Sequence, residues 1–251
     1  MSNEVVKKPE QTALLKGGKL SASRTSFQDR VRQNVVDIET LPHRICLMLD
    51  KSSSMNTYEA SRSGSDSTRI ELLKQALENF VQRCDFSNTA IAIETFPPSI
   101  SIPLTNNLAV LSASSFGLDA SGNTPMRACV ERSLEKFKMT RGVIVSDGEA
   151  TDWNRRNYSD DLDGEVGNCP TDDILFKYKQ LGIPIDCVHI SNDSGGEALL
   201  RRIAKETGGI FMKFTDVSSF AANFGYLTPG FRAMLTDGSL TAEQLGAKEI
   251  R

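Results

Sequence analysis

The sequence has 251 residues, of which 39% are apolar and 24% are charged, and its formal net charge is −3. This composition is typical of a globular protein with a sizeable core. The near balance of 29 basic and 32 acidic residues argues against binding along a nucleic-acid backbone, which needs a basic surface. No membrane span is expected, because no apolar run approaches the roughly 18–20 residues of a transmembrane helix.

Cysteine usage bears on the cellular compartment. The five cysteines are odd in number and widely spaced, and no CxxC pair occurs. This pattern indicates neither a disulfide framework nor a zinc site. The first residues also lack the apolar segment of a signal peptide. We therefore expect a cytoplasmic protein with reduced cysteines.

Three regions of the chain differ in their patterning. Residues 1–43 contain glycine- and serine-rich breaks and no strong apolar clusters, which predicts an N-terminal arm that is either partly disordered or a docking segment. Residues 44–226 show regular apolar runs and form the predicted domain. Residues 227–251 form a C-terminal extension, with a short helix predicted over 240–250.

The predicted domain alternates strands with helices, judged from continuous apolar runs and from stripes at helical spacing. Thr68 and Glu71 have the spacing of a capping box, and Pro97-Pro98 predicts a turn between antiparallel strands. Segment 105–123 is predicted as a long loop. In chain order the elements are a strand at 45–49, a helix at 70–84, strands at 89–96 and 99–104, a helix at 125–137, a strand at 142–146, a helix at 171–182, a strand at 183–190, a helix at 197–207, a strand at 210–214 and a helix at 216–225.

This alternation predicts an α/β fold. We expect a doubly wound, mostly parallel six-stranded sheet with one antiparallel edge strand and helices on both faces. Ligands of such sheets bind at the carboxyl ends of the strands, beside the point where the strand order reverses. The first and fourth predicted strands are the pair expected to flank that point.

Oxygen-bearing side chains follow both of these strands. Asp50, Ser52 and Ser54 come after the first strand, and Asp147 comes after the fourth. Thr124 precedes the intervening helix, where its alternative role is a plain N-cap. Two carboxylates and three hydroxyls, with no imidazole or thiolate, form the donor set of a hard cation. The residues therefore predict a site for Mg²⁺, with Mn²⁺ or Ca²⁺ as alternatives.

The pattern Asp50-x-Ser52-x-Ser54, followed by Thr124 and then Asp147, resembles the metal-ion-dependent adhesion site of von Willebrand factor A (vWA) domains. Three separate pieces occur in the right order, each at the expected boundary of an element. The resemblance implies that the two serine hydroxyls bind the ion directly and that the threonine joins them in the ligand-ready state. It also implies that both aspartates act largely through water.

Two local segments narrow the resemblance, which covers about residues 44–226. Segments GNTP at 122–125 and DGEATD at 147–152 are similar to forms in intracellular bacterial vWA proteins associated with tellurite resistance. Ala150 replaces the usual proline of the second segment, a departure that leaves the predicted metal ligands unchanged.

The resemblance implies a non-catalytic function. An aspartate or glutamate of a partner protein would complete the shell of the ion, so that the chain acts as a metal-dependent adaptor or regulator, in a stress-response or defence system. Partners implied by the same subgroup are a AAA+ ATPase, a kinase or a phosphatase. Glu149, Asp152 and Trp153 lie on the predicted rim of the site and are expected to contact the partner. For Trp153, packing within its own loop is the alternative.

Two other classes of function remain as alternatives. One is a metal-dependent phosphoryl-transfer enzyme with Asp50 as nucleophile. Such enzymes place a second carboxylate two positions later, and that position is Ser52. The other alternative is an extracellular adhesion protein, which the metal site alone would permit but which the reduced-looking cysteines and the missing signal segment disfavour.

Overall fold

A computed structural model of the chain describes residues 37–59, 67–115, 117–148, 150–153, 173–191, 196–214, 241 and 249–250. Most of the predicted N-terminal arm, most of the C-terminal extension and the predicted helix at 216–225 lie outside these residues. The strands are β1 (His43–Asp50), β2 (Tyr58–Glu59), β3 (Ser67–Thr68), β4 (Thr89–Phe96), β5 (Ser101–Thr105), β6 (Arg141–Ser146), β7 (Ile185–His189), β8 (Phe211–Lys213) and β9 (Glu249–Ile250). The helices are α1 (Arg69–Arg83), α2 (Leu108–Ser115), α3 (Met126–Lys136), α4 (Asp173–Gln180) and α5 (Glu197–Thr207).

The main sheet has the order β5-β4-β1-β6-β7-β8-β9. Strands β4, β1, β6, β7 and β8 run parallel to one another, and β5 pairs antiparallel with β4 at the edge. The predicted six-stranded, mostly parallel sheet with one antiparallel edge strand is therefore confirmed. The two residues of β9 extend it by pairing antiparallel with β8. The helix predicted over 240–250 is wrong at Glu249 and Ile250, because hydrogen bonding to an open sheet edge outweighs a weak local helix preference.

The core is divided by the sheet into two apolar layers. Strand β1 is buried on both faces, and its side chains alternate between the layers as the twofold period of a strand requires. Ile45, Leu47 and Leu49 pack with the apolar faces of α1 and α2. Cys46 and Met48 pack on the opposite side with those of α3, α4 and α5. The predicted placement of helices on both faces follows from this alternation.

Local chemistry fixes the start of α1 and the end of α5. The Thr68 hydroxyl accepts a hydrogen bond from the Glu71 amide, and the Glu71 carboxylate accepts one from the Thr68 amide, which completes the predicted capping box at the start of α1. Helix α5 ends at Gly208, whose φ of +76° lies in the left-handed region that favours glycine. No helix in the described part of the chain combines the length and apolar composition that a membrane crossing needs.

Helix α2 lies within the segment predicted to be a loop. The Asn107 side chain accepts hydrogen bonds from the amides of Ala109 and Val110 and so satisfies two donors of its first turn. Leu111 is fully buried in the layer that contains α1. The segment LAVLSASS has no charged residues and only eight positions, so its periodicity is weak, and packing against α1 decides its conformation.

The strand order reverses beside β1. From β1 the chain passes through α1 to β4 on one side, and after α3 it returns to β6 on the other side. The carboxyl ends of β1 and β6 therefore flank the switch point, which is the usual ligand position in this class of sheet.

Candidate metal centre

Asp50 is the last residue of β1 and is completely buried. Its Oδ1 accepts a hydrogen bond from the Ser52 amide at 2.8 Å, and its Oδ2 accepts one from the Ser146 hydroxyl at 2.6 Å. Because Ser146 ends β6, this second bond joins the two strands that flank the switch point. Both oxygens of the carboxylate are thus held in fixed positions.

The predicted serines meet next to this carboxylate. The Ser52 and Ser54 hydroxyl oxygens lie 2.9 Å apart, and the Ser54 hydroxyl donates to Asp147 Oδ1 at 2.9 Å. The 3₁₀ turn Ser53–Asn56 sets this arrangement. Ser52 is buried, whereas Ser54 and the intervening Ser53 are exposed. The cluster therefore opens to solvent on the side of Ser54.

Thr124 is joined to the cluster through its loop. The Ser121 amide donates to the Lys51 carbonyl at 2.7 Å, and the Ser53 amide donates to the Gly122 carbonyl at 2.9 Å. Gly122 has a φ of +79°, a conformation that side chains rarely adopt. Thr124 is 7% exposed. Among the described residues, no side-chain hydrogen bond connects it to the other four predicted ligands.

The N-terminus of α3 is capped by Asp152 and not by Thr124. The residue at the N-cap position is Pro125, which has no side-chain capping bond. The Asp152 carboxylate instead accepts hydrogen bonds from the amides of Arg127 and Ala128, at 3.0 and 2.9 Å. These are donors of the first helical turn that have no partner within the helix. The Thr124 side chain is therefore not committed to capping.

The predicted partner-contacting rim needs correction at Trp153. Trp153 is only 4% exposed and packs in the core layer that contains α3, with the Arg127 guanidinium 5.8 Å from its ring centroid. It is not an exposed anchor, because the apolar ring fills space beneath the loop. The Asp152 carboxylate is occupied by the helix terminus. Glu149 lies outside the described residues.

Two basic residues that we did not single out from the sequence are part of the centre. Arg69 Nη1 donates to Asp147 Oδ2 at 2.6 Å, in a pair whose side chains are 10% and 0% exposed. Lys51 Nζ donates to the Asp119 carbonyl at 3.0 Å and to the Ser121 hydroxyl at 3.3 Å. The only sequence signal for Arg69 is its place directly after the Thr68 cap, which says nothing of its partner.

Burial affects the ionisation of Asp50 most strongly. Removal from water raises the pKa of this carboxyl to about 6, the Ser146 hydrogen bond lowers it, and the nearby Asp147 charge raises it further. Ionising this carboxyl in the folded protein is therefore costly, and a cation beside it would offset that cost.

The donor set fits a small divalent cation. The described residues contain no group of three or more His, Cys, Asp or Glu side chains that could hold a metal, so this centre depends on hydroxyls. Adjacent ligands of an octahedral Mg²⁺, with Mg–O distances of about 2.0–2.1 Å, lie about 2.9 Å apart. The hydroxyl oxygens of Ser52 and Ser54 are separated by the same 2.9 Å. A hydroxyl that now donates can rotate its hydrogen away and offer a lone pair.

Comparison with known proteins finds solved structures with this fold. The SpRpn10 VWA domain has a TM-score of 0.55 at 12% identity, over 74% of this chain and 95% of that one. The vWF domain of the type V pili tip protein Mfa5 from Porphyromonas gingivalis has a TM-score of 0.55 at 12% identity, over 80% and 97%. The pilus adhesin SpaC from Lactobacillus rhamnosus GG has a TM-score of 0.54 at 13% identity, over 78% and 31%.

Sequence comparisons add nothing to this. No protein-family model matches the chain, and no curated protein matches it either. Identities of 12–13% establish the fold alone. The chain therefore has the Rossmann-like fold of vWA domains, and any activity must be argued from its own residues.

Proposed function

We propose that the chain is a non-catalytic protein-binding module whose binding depends on a divalent cation, with Mg²⁺ as the preferred ion and Mn²⁺ or Ca²⁺ as alternatives. The observation that carries this proposal is the chain of hydrogen bonds at the ends of β1 and β6. It brings the carboxylates of Asp50 and Asp147 together with the hydroxyls of Ser52 and Ser54, over distances of 2.6 to 2.9 Å. A mostly buried, all-oxygen cluster that opens at one exposed serine suits a hard cation.

The roles of the residues follow from their burial and partners. Ser52 and Ser54 would bind the ion through their hydroxyls, together with Thr124, whose side chain is not needed as a helix cap. Asp50 and Asp147 would act through water, because their oxygens already accept hydrogen bonds. When bound, the cation supplies an electrophilic position that accepts a carboxylate oxygen from a partner protein.

The position of Asp50 supports binding over catalysis. A nucleophile must reach its substrate, but this side chain has no exposed surface and both of its oxygens accept hydrogen bonds. Ser52 occupies the position where a phosphoryl-transfer enzyme of the type considered above has its second carboxylate. We therefore place the alternative function, phosphoryl transfer from Asp50, second.

We further propose that the module works inside the cell as an adaptor or regulator in a stress-response or defence system. Support comes from the described cysteines, which are free. Burial raises the pKa of the Cys46 and Cys84 thiols to about 12, so both remain protonated. The resemblance noted above favours a AAA+ ATPase, a kinase or a phosphatase as partner. Because SpaC is a pilus adhesin and Mfa5 a pili tip protein, their shared fold with this chain favours extracellular adhesion as the second candidate.

The first test is cation binding by neighbouring serine variants. Ser54→Ala removes a hydroxyl of the cluster, whereas Ser53→Ala removes an exposed hydroxyl one residue away and serves as the matched control. We expect isothermal titration to show Mg²⁺ binding by the wild type and by Ser53→Ala, and a loss of at least about tenfold in affinity for Ser54→Ala. Equal affinities in the three proteins would contradict the proposed centre.

The second test concerns the partner. Affinity capture from a native lysate, followed by mass spectrometry, would compare the same three proteins in Mg²⁺ and in EDTA. We expect a protein that the wild type and Ser53→Ala retain only in Mg²⁺ and that Ser54→Ala does not retain. Partners that are retained equally in EDTA would place the binding surface elsewhere on the chain and would refute metal-dependent capture.

A further inference from the structure

Contacts of both its backbone and its side chain fix Arg69 at the edge of the candidate metal centre. As the first residue of α1, it donates its backbone amide to the Thr57 carbonyl at 3.1 Å. Its guanidinium donates to Asp147 Oδ2 at 2.6 Å. Only 10% of the Arg69 side chain is exposed and none of the Asp147 side chain. The Asp147 carboxylate therefore lies between the positive charge of Arg69 and the hydroxyl of Ser54.

The positive charge of Arg69 changes the net charge of the centre. Asp50 and Asp147 contribute two negative charges, and Arg69 and Lys51 contribute two positive ones. The Lys51 ammonium is bound by the Asp119 carbonyl and the Ser121 hydroxyl, which are neutral. These four side chains together are formally neutral, and a divalent cation would give the loaded centre a net charge of +2. Two carboxylates alone would have neutralised the same cation.

Arg69 also limits how Asp147 can respond to a cation. One oxygen of this carboxylate accepts from Ser54 and the other accepts from the guanidinium. Such a charge-assisted bond is strong and directional. An aspartate held in this way is disfavoured as a direct or bidentate ligand, so less of the ion's charge is neutralised from within the protein.

We propose that Arg69 is a positioning residue that sets the specificity of the candidate centre: it weakens binding of the cation alone and strengthens the attraction of the loaded centre for a carboxylate. This inference rests on the proposed function. Since two ligands that favour one another do so reciprocally, a carboxylate should tighten cation binding in the wild type. That coupling should decrease when the guanidinium is removed.

The test uses Mn²⁺ as the cation and acetate as the carboxylate probe. Free Mn²⁺ is followed by electron paramagnetic resonance, with and without sodium acetate, against sodium chloride of equal ionic strength. Compared with wild type, we expect Arg69→Gln to bind Mn²⁺ about tenfold more tightly, because a repulsive charge a few ångströms away is removed, and to show a smaller enhancement by acetate. Arg83→Gln, at the exposed far end of the same helix, is the matched control and should behave as wild type.

A double variant removes both charges of the Arg69–Asp147 pair together. Arg69→Gln alone leaves the Asp147 carboxylate without its cation and destabilises the fold. The double variant Arg69→Gln/Asp147→Asn replaces the ion pair by neutral amides and should bind Mn²⁺ about tenfold more tightly than Asp147→Asn alone. A purely structural role for Arg69 would not move this ratio.

The outcomes separate this inference from the function on which it rests. One outcome overturns the role of Arg69 and leaves the metal centre standing. In that outcome the wild type binds Mn²⁺, and Arg69→Gln matches its affinity within about twofold with the same enhancement by acetate. The double variant also matches the Mn²⁺ affinity of Asp147→Asn. If the wild type does not bind Mn²⁺, the proposed centre is overturned together with this inference. A higher Mn²⁺ affinity of Arg69→Gln, together with a smaller enhancement by acetate, supports the inference.

Discussion

Two buried arginine–aspartate pairs lie at opposite ends of the same sheet. Arg141 and Asp186 lie at the amino ends of β6 and β7, with side chains that are 8% and 0% exposed. Arg69 and Asp147 lie at the carboxyl ends, with side chains that are 10% and 0% exposed. Burial and ion pairing are thus nearly the same at both ends, and neither identifies the candidate functional site.

The two pairs differ in the other partners of the aspartate. Asp186 Oδ2 accepts from two nitrogens of the Arg141 guanidinium, and its Oδ1 accepts from the Ile210 amide at 2.8 Å. These groups donate and cannot accept. Asp147 has a serine hydroxyl as its second partner, and a hydroxyl can exchange donation for a lone pair directed at a cation. The chemistry of the remaining partner distinguishes a structural ion pair from one that can belong to a binding site.

Loss of the Arg141 guanidinium should destabilise the fold more than the other substitutions discussed below. Arg141→Gln should lower the free energy of unfolding by about 3–5 kcal/mol, because it removes the guanidinium that pairs with the buried Asp186 carboxylate. Urea denaturation measures this loss. Mg²⁺ should stabilise Arg141→Gln no more than it stabilises the wild type. A stability gain from Mg²⁺ that is specific to this variant would show that the two ends of the sheet are coupled and would contradict the distinction.

At the carboxyl end of the sheet, ionisation of Asp50 should make the free energy of unfolding in EDTA depend on pH. The pKa of this carboxyl is raised from an ordinary 3.8 to about 6 by burial. A raised pKa in the folded state means that its stabilising contribution is present below about pH 4 and is lost as the pH rises through 6. The free energy of unfolding of wild type minus that of Asp50→Asn should therefore decrease by up to about 3 kcal/mol between pH 4 and pH 7.

An exposed aspartate controls for this pH effect. Hydrogen bonds from the Ser87 hydroxyl and amide lower the pKa of Asp85, so the corresponding difference between wild type and Asp85→Asn should change in the opposite direction. Chemical denaturation at several pH values measures both differences. If the difference in free energy of unfolding between wild type and Asp50→Asn stayed constant with pH, burial would not raise the pKa of the Asp50 carboxyl. One reason to expect a cation beside it would then be removed.

The parts of the fold that the sequence predicted well are those set by local chemistry. The Thr68–Glu71 capping box needs only four consecutive residues, and the buried run of β1 is visible as an unbroken apolar segment. The convergence of Asp50 and Asp147 follows from strand order, because parallel strands end on the same edge and the switch point selects two of them. Spacing and topology were sufficient for these features.

The parts that the sequence did not predict depend on tertiary packing. The partner of Arg69 is a strand-end aspartate 78 positions away, and no local pattern encodes that pairing. For Trp153 the sequence left partner contact and packing within its own loop as alternatives, and the ring lies in the core beside α3. Helix α2 is short and uncharged, and burial of Leu111 decides its conformation. In each case a contact that is distant in sequence outweighs the local signal.

Asp152 is a carboxylate at the carboxyl edge of the sheet that we expect to stabilise a helix end and not to belong to the metal centre. Asp152 accepts from the amides of Arg127 and Ala128 at the start of α3. Loss of such a cap costs about 1 kcal/mol, so Asp152→Ala should lower the free energy of unfolding by that amount. Asp152→Asn, whose amide oxygen still accepts a hydrogen bond, should lose less.

Substitutions of Asp152 and Asp147 should affect Mg²⁺ affinity differently. Isothermal titration should give Asp152→Ala the Mg²⁺ affinity of the wild type within about twofold, because the Asp152 carboxylate accepts from first-turn amides of α3 that have no partner within the helix. Asp147→Asn should bind Mg²⁺ more weakly than wild type, because its carboxylate accepts directly from the Ser54 hydroxyl of the cluster. A tenfold loss in Asp152→Ala would instead place Asp152 in the centre. The edge of the sheet would then act as one extended anionic surface. A serine hydroxyl partner would no longer distinguish Asp147, which belongs to the centre, from Asp152, which lies five positions later in the sequence.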